Sequence, residues 1–309
     1  MYSARRAAAR APDDRLDDSS RKPASTVPLS YEDAAALCKA RVDSIVAECR
    51  RSNTKYTDPD FNLELDFNSQ AHHCLYSLKA DAAWLSVRGK EGQAHYTYAT
   101  SGDKLGTVPR SVKRVTDIFE DPQFFIDGAT ASDMCQGRLG DCGVIAALCC
   151  LAHKPGLIER LCVARDQEAG VYGFVFHRDG SWLAEIVDDQ LYLKRPDFAE
   201  VHHFTGPNQE RRLWENMSEE LYRKTYQSNS PALVFARCRD PNETWLPLLE
   251  KAFAKAHGDY EALWGYSWDT AIEALTGGVA SGLFLGRILD KVIITYTCMA
   301  PTNALREPL

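Results

Sequence analysis

Residues Ile126–Leu151 read IDGATASDMCQGRLGDCGVIAALCCL. Glycines, Gln136 and Asp141 crowd the half before Cys142, and the half after it turns apolar, with Val144, Ile145, Leu148 and Leu151 at helical spacing. The pattern is a tight turn feeding a helix that begins with a thiol. Backbone N–H groups and the helix dipole favour thiolate over thiol at such a position, and the thiolate is the nucleophile.

Cysteine catalysis also needs donors for the oxyanion and a base, usually histidine. Gln136 stands six residues upstream of Cys142 on the glycine-rich turn. Its amide can fold back toward the thiol and, with the Cys142 N–H, make an oxyanion hole; a glutamine on a turn is otherwise a solvated side chain. Cys135, Cys142 and Cys149 are spaced too widely for a structural zinc site, which favours two to four residues between paired ligands. Cys149 and Cys150 read as small hydrophobes within the helix.

Upstream, Ser30 reads as an N-cap, with Glu32 and Asp33 in the first turn and an apolar stripe of Ala36, Leu37, Ala40, Ile45, Val46 and Cys49. Residues 54–68 read as loop and extended chain. Residues 70–125 read as irregular, with Trp84, a Tyr96/Tyr98 alternation and a helix-like VKRVTDIFE. His72 and His73 are adjacent, so they do not share a face. Downstream, Pro155 and Gly156 end the cysteine helix, and Leu157–Ala164 reads as another short helix. VYGFVFH (171–177) and WLAEIV (182–187), separated by RDGS, read as a hairpin. Asp188 and Asp189 suggest either a metal site or a charged strand end. A short helix is expected around 215–226, a longer one from Trp245 to Gly258, and a last one over Thr270–Leu275; the tail shows one apolar run, KVIITYTCM. Helices, then strands, then helices predict a mixed α+β fold.

The chain has 309 residues, 45% of them hydrophobic, enough for a full core. A formal charge of −7 argues against a nucleic-acid partner. No apolar run approaches the roughly 18 residues of a membrane span. Residues 1–29, rich in Arg, Asp, Ser, Ala and Pro, read as a disordered leader; MYSARRAAAR lacks the apolar core of a secretory signal, and DDRLDD follows it at once. With no export signal, ten cysteines imply reduced thiols and a cytoplasmic location.

DMCQGRLGDCG, preceded by FFIDGATAS, resembles the catalytic-cysteine segment of the calpain family of cysteine proteases. The resemblance runs on through GSWLAEIVDDQLYL, NETWLPLLEKAFAKAHGDYEAL and TGGV, from about Tyr56 to Val279. It implies a papain-like cysteine lobe, mainly helical around the cysteine helix with a small antiparallel sheet, that works with a separate histidine/asparagine lobe. It makes Cys142 the nucleophile and Gln136 the oxyanion donor. It also implies calcium, held by the carbonyls of Ile126 and Gly128 and the carboxylates of Asp133 and Glu243, a hard-oxygen set of the kind that ion takes. The implied division is leader 1–29, N-terminal helix and extension 30–125, cysteine lobe 126–276 and second-lobe stub 277–309.

Three departures stand out. Gly143 follows the nucleophile where the family has Trp. EALWGY replaces the family's EALSGG, so that Tyr266 falls where a glycine lets substrate backbone approach, and its side chain is expected to obstruct an extended peptide. No segment supplying the family's histidine and asparagine follows Val279. The expectation is a calcium-dependent endopeptidase acting on protein or peptide substrate and incomplete as this chain, its base coming from a missing segment or a partner chain. The alternative is an inactive calcium-binding or interaction module on the same scaffold.

Overall fold

The computed structural model describes residues 28–76, 109–203, 217–288 and 291–299. Most of the expected leader, Trp84 and the Tyr96/Tyr98 pair lie outside them.

The fold is α+β, and the hairpin is its middle layer. Strands β4 (Val171–Arg178) and β5 (Ser181–Asp188) pair antiparallel in full register, Val171 opposite Asp188 and Arg178 opposite Ser181. Asp179 and Gly180, both at positive φ (51° and 80°), make the turn, the geometry that matches strand twist. β3 (Cys162–Asp166) adds to the free side of β4. A helix was expected there; only Glu159–Leu161 keeps one 3-10 turn, because pairing with β4 takes the rest into the sheet.

Alternation along β4 assigns its two faces. Val171, Gly173 and Val175 meet helix α1 (Tyr31–Ser52), which brings Ala34, Cys38, Val42, Val46 and Cys49 to a core of their own. Gly173 is required by this approach, since a Cβ there would lie 2.6 Å from the Cys38 sulfur. Ser30 caps α1 as its sequence predicts, accepting from the Asp33 amide at 3.1 Å. Tyr172, Phe174 and Phe176 face the main core, where Phe176 meets Phe253 edge-on at 5.2 Å.

Two short helices follow α1, α2 (Leu63–Asn68), inside the stretch expected to be loop, and α3 (His73–Tyr76). VKRVTDIFE is not one helix: β1 (Ser111–Arg114) pairs with β6 (Gln190–Leu193), leaving a single turn, α4 (Val115–Ile118). β2 (Met134–Cys135) leads to the cysteine turn and α5 (Cys142–Leu151). Helix α6 (Glu219–Tyr226) and the short β7 (Arg237–Cys238) precede α7 (Trp245–His257), which Gly258 stops as expected. α8 (Trp268–Thr276) packs against α5. The tail is a hairpin, β8 (Val279–Ile288) with β9 (Lys291–Met299); the apolar run singled out in the sequence is its second strand.

Helix α7 is buried on nearly every side, including Glu250 and Lys251. The Lys251 ammonium meets Asp188 Oδ1 at 2.5 Å and the Gln190 carbonyl at 2.9 Å, with both charged side chains fully buried. Lys255 pairs with Asp58 at 2.9 Å, and Arg114 with Asp189 at 2.5 Å. The Asp188-Asp189 doublet therefore serves ion pairs, and the metal alternative is set aside. Replacing Lys251 with Met leaves Asp188 as an uncompensated buried anion and is expected to cost about 3–5 kcal/mol, the cost of breaking a buried pair, read as a lower denaturant midpoint at unchanged slope.

Candidate active site

The turn before Cys142 is moulded onto an extended segment, residues 232–238. Arg138 N donates to Val234 O at 3.0 Å, and Cys135 pairs with Arg237. Between them Gly137 lies flat on Phe235; any Cβ there would fall 2.1 Å from the Phe235 carbonyl carbon. This explains one glycine in the motif by close approach rather than by a positive φ.

Cys142 is the first residue of α5 and is exposed. The Val144 and Ile145 amides both donate to the Asp141 carbonyl, at 2.8 and 3.1 Å. That leaves the Cys142 and Gly143 N–H groups of the first turn without an intrahelical partner. Asp141 makes no side-chain cap to them, because its carboxyl is turned inward. The helix start thus offers N–H groups beside an exposed sulfur.

Gln136 is also exposed, and its amide is turned into its own loop, onto Leu139 and Asp141. Both of its N–H donors are already engaged: Nε2 donates to the Leu139 carbonyl at 2.9 Å and to Asp141 Oδ1 at 3.1 Å. To serve an oxyanion it must give up or share one of these bonds.

The Trp264–Trp268 segment closes over the same turn. Gly265 N donates to Gly140 O at 2.8 Å, and the Trp264 ring covers Gly140, where a Cβ would meet ring carbons at 2.8 Å. A Cβ on Gly143 would fall 1.9 Å from the Tyr266 carbonyl oxygen. The Tyr266 ring, expected to stand in the path of a peptide, is instead spent on α7. It meets Phe253 at 5.6 Å and His257 at 5.0 Å, and its hydroxyl bonds His257 Nε2 at 2.9 Å. What Tyr266 brings to the cysteine turn is its backbone carbonyl.

Among the described residues no histidine is hydrogen-bonded to the Cys142 thiol. His153 Nδ1 bonds the Cys149 carbonyl at 2.8 Å, and His177 packs edge-on against Trp182. His257 Nδ1 bonds the Phe253 carbonyl at 2.8 Å, which places the proton on Nδ1 and leaves Nε2 to accept from Tyr266; burial lowers its basicity further. Each ring has a structural occupation.

The four oxygens expected for calcium come from three stretches that meet. The Ile126 amide donates to Glu243 Oε1 at 2.9 Å, and Gly128 sits in a turn at φ 86°. Asp133 Oδ2 caps the short turn that precedes β2, accepting from Thr130 N at 2.8 Å. Burial raises the Glu243 carboxyl above its ordinary value; the Ile126 N–H opposes this, and the charges of Asp133 and Asp240 push it further up. A buried carboxylate facing a like charge is a place where a divalent cation relieves repulsion, so the donor set fits calcium. Glu159, which the sequence did not single out, braces this loop, its Oε1 accepting from Ala129 N at 3.3 Å. No group of three or more Cys, His, Asp or Glu side chains suited to a metal occurs among the described residues.

The sequence profile described as "Calpain family cysteine protease" matches residues 98–231 and 227–298, most of the chain. This chain belongs to the calpain family. "Calpain-9" of Rattus norvegicus is 36% identical to it over 178 residues, 56% of this chain and 21% of the relative. "Calpain-1 catalytic subunit" of Bos taurus is 35% identical over 171 residues, 54% of this chain and 19% of the relative. The chain therefore spans about a fifth of the length of these calpains. The calpain match covers the cysteine turn, α5, the hairpin and α7, the elements that build the site.

Gly143→Ala is expected to destabilise the protein by about 3 kcal/mol, the upper end of overpacking, because backbone rather than a flexible side chain meets the new methyl. Thermal melting checks this, with Gly180→Ala as a control: it carries a positive-φ penalty but no close neighbour.

Proposed function

We propose that this calpain-family chain is the cysteine lobe of a calcium-dependent endopeptidase, with Cys142 as nucleophile. The observation that carries the reading is the exposed sulfur at the start of α5 beside N–H groups that Asp141 leaves uncapped. The thiolate sulfur attacks the scissile carbonyl carbon, and the π electrons move to oxygen. The Cys142 N–H and the Gln136 amide stabilise that oxyanion, Gln136 releasing one of its two present bonds. Collapse expels the amine, which takes its proton from a protonated base, and water then frees the acyl group. The base is a histidine from outside the described residues, on a continuation of the chain or on a partner chain. Substrate is protein or peptide.

Calcium would be held by the Ile126 and Gly128 carbonyls with Asp133 and Glu243. When bound it supplies positive charge that ties the 126–133 loop to the start of α7. A cytoplasmic setting suits the free cysteines between Cys38 and Cys238, and no helix among the described residues is long and apolar enough to cross a membrane. One observation favours the inactive, calcium-binding alternative: Gln136 has both donors committed.

Three measurements follow from this reading. Cys142 and Cys150 are both exposed and lie at opposite ends of α5, Cys142 at the N–H end and Cys150 at the carbonyl end. Iodoacetamide should label Cys142 about tenfold faster than Cys150, the combined effect of the two helix ends; equal rates would remove the argument for Cys142. Residues 1–309 alone are expected to show no measurable casein cleavage, and turnover abolished by Cys142→Ala would locate a base already within them. In calorimetry, calcium should bind more tightly as pH rises, because the raised Glu243 carboxyl must lose its proton to ligate. Isotherms unchanged by Asp133→Ala and Glu243→Ala would eliminate the site.

A further inference from the structure

We propose that Asp141 and Glu250 form a proton-sharing acid pair that positions Gln136 behind the Cys142 turn. The pair deepens the reading of Gln136 as oxyanion donor and rests on it.

Both carboxyl groups are buried, at 0% and 1% exposure. Asp141 Oδ1 accepts from Gln136 Nε2 at 3.1 Å, and Glu250 Oε2 accepts from the Ala236 amide at 2.9 Å. The other two oxygens, Asp141 Oδ2 and Glu250 Oε1, are buried with no donor to satisfy them, and the two carboxyls lie within hydrogen-bonding reach of each other. Two ionised carboxylates have only acceptors, so such a bond exists only if one of them keeps a proton.

No cation relieves the pair. Among the described residues neither carboxylate forms an ion pair with Lys, Arg or His, and Lys251, next to Glu250 on α7, is spent on Asp188 and Gln190. Facing the pair are the Gln136 amide, the Ala236 N–H and the buried Tyr260 phenol from the turn after α7, itself acted on by the Cys74 thiol and the Asp188 charge. Burial pushes both acids up. The pair therefore keeps one proton between its two carboxyls and carries one negative charge.

The geometry makes this pair a link between helix α7 and the site. It draws the Asp141 carboxyl inward, which leaves the start of α5 uncapped, and it fixes the acceptor that holds Gln136. When the shared proton leaves, two anions face each other in the core and Asp141 can no longer hold its place. Groups raised on folding contribute stability at low pH and lose it as pH climbs through their folded values. The anchoring of Gln136 therefore weakens on the alkaline side.

Glu250→Gln is the informative variant. Its carbonyl still accepts from Ala236, its NH2 donates permanently to Asp141, and it does not titrate. Glu250→Leu has similar bulk and no donor. On the full chain at about pH 8, where exposed carboxyls are ionised, the infrared difference between wild type and Glu250→Gln should show the loss of one protonated-carboxyl carbonyl band. With 15N-labelled glutamine, assigned through Gln136→Ala, exchange of the Gln136 amide should rise about tenfold in Glu250→Leu, the effect of losing one buried partner, and return to within about twofold of wild type in Glu250→Gln. Its rise with pH beyond ordinary base catalysis should vanish in Glu250→Gln. An unchanged infrared band, or equal exchange in the Leu and Gln variants, overturns the pair. If both readouts behave as expected while Gln136→Ala leaves hemithioacetal formation between Cys142 and a peptide aldehyde unaltered, the pair stands and the oxyanion role of Gln136 fails.

Discussion

The buried contact between Lys251 and Asp188 is the constraint on which the rest of the structure turns. It pins helix α7 to the end of β5, with both charges out of reach of water. Two carboxyls on or beside α7 then face the working half of the molecule: Glu250 toward the cysteine turn and Glu243 toward Ile126. Charges in a core are expensive unless paired, so each of these groups allows its partner little freedom. A helix that looks, by its apolar spacing, like packing material is also the polar spine of the site.

The cysteine turn is shaped from the other side by backbone. Gly137 lies on Phe235, Gly140 under Trp264 and Gly143 against the Tyr266 carbonyl. None of the three needs a positive φ; each makes room for something close. The turn is thereby held between the 232–238 segment and the 264–268 segment, and Cys142 remains at the surface while its neighbours are enclosed.

Much of this was legible in the sequence where a local rule governs. Ser30 as cap, the Asp179-Gly180 turn, the start of α5 at Cys142 and the stop of α7 at Gly258 all depend on a few adjacent residues. What was hidden depends on pairs far apart in the chain. β1 reads as helix until β6 is beside it, and residues 162–166 read as helix until β4 is. Asp188 and Asp189 look like metal ligands or a strand end until Lys251, Lys55 and Arg114 reach them. Asp141 and Glu250 give no local sign of each other. The resemblance to calpains identified Gln136 but carried no information that its two donors are already occupied.

The contact between Gly143 and the Tyr266 carbonyl has a meaning for any attempt to redesign the turn. Gly143 and Tyr266 look, in a linear reading, like two departures of the same kind. In three dimensions only backbone meets position 143: the 266 carbonyl occupies space that a side chain there would need, while the Tyr266 ring lies against α7. Trimming the tyrosine to glycine would therefore open no room at 143, and a larger residue there would require the 264–268 backbone itself to move.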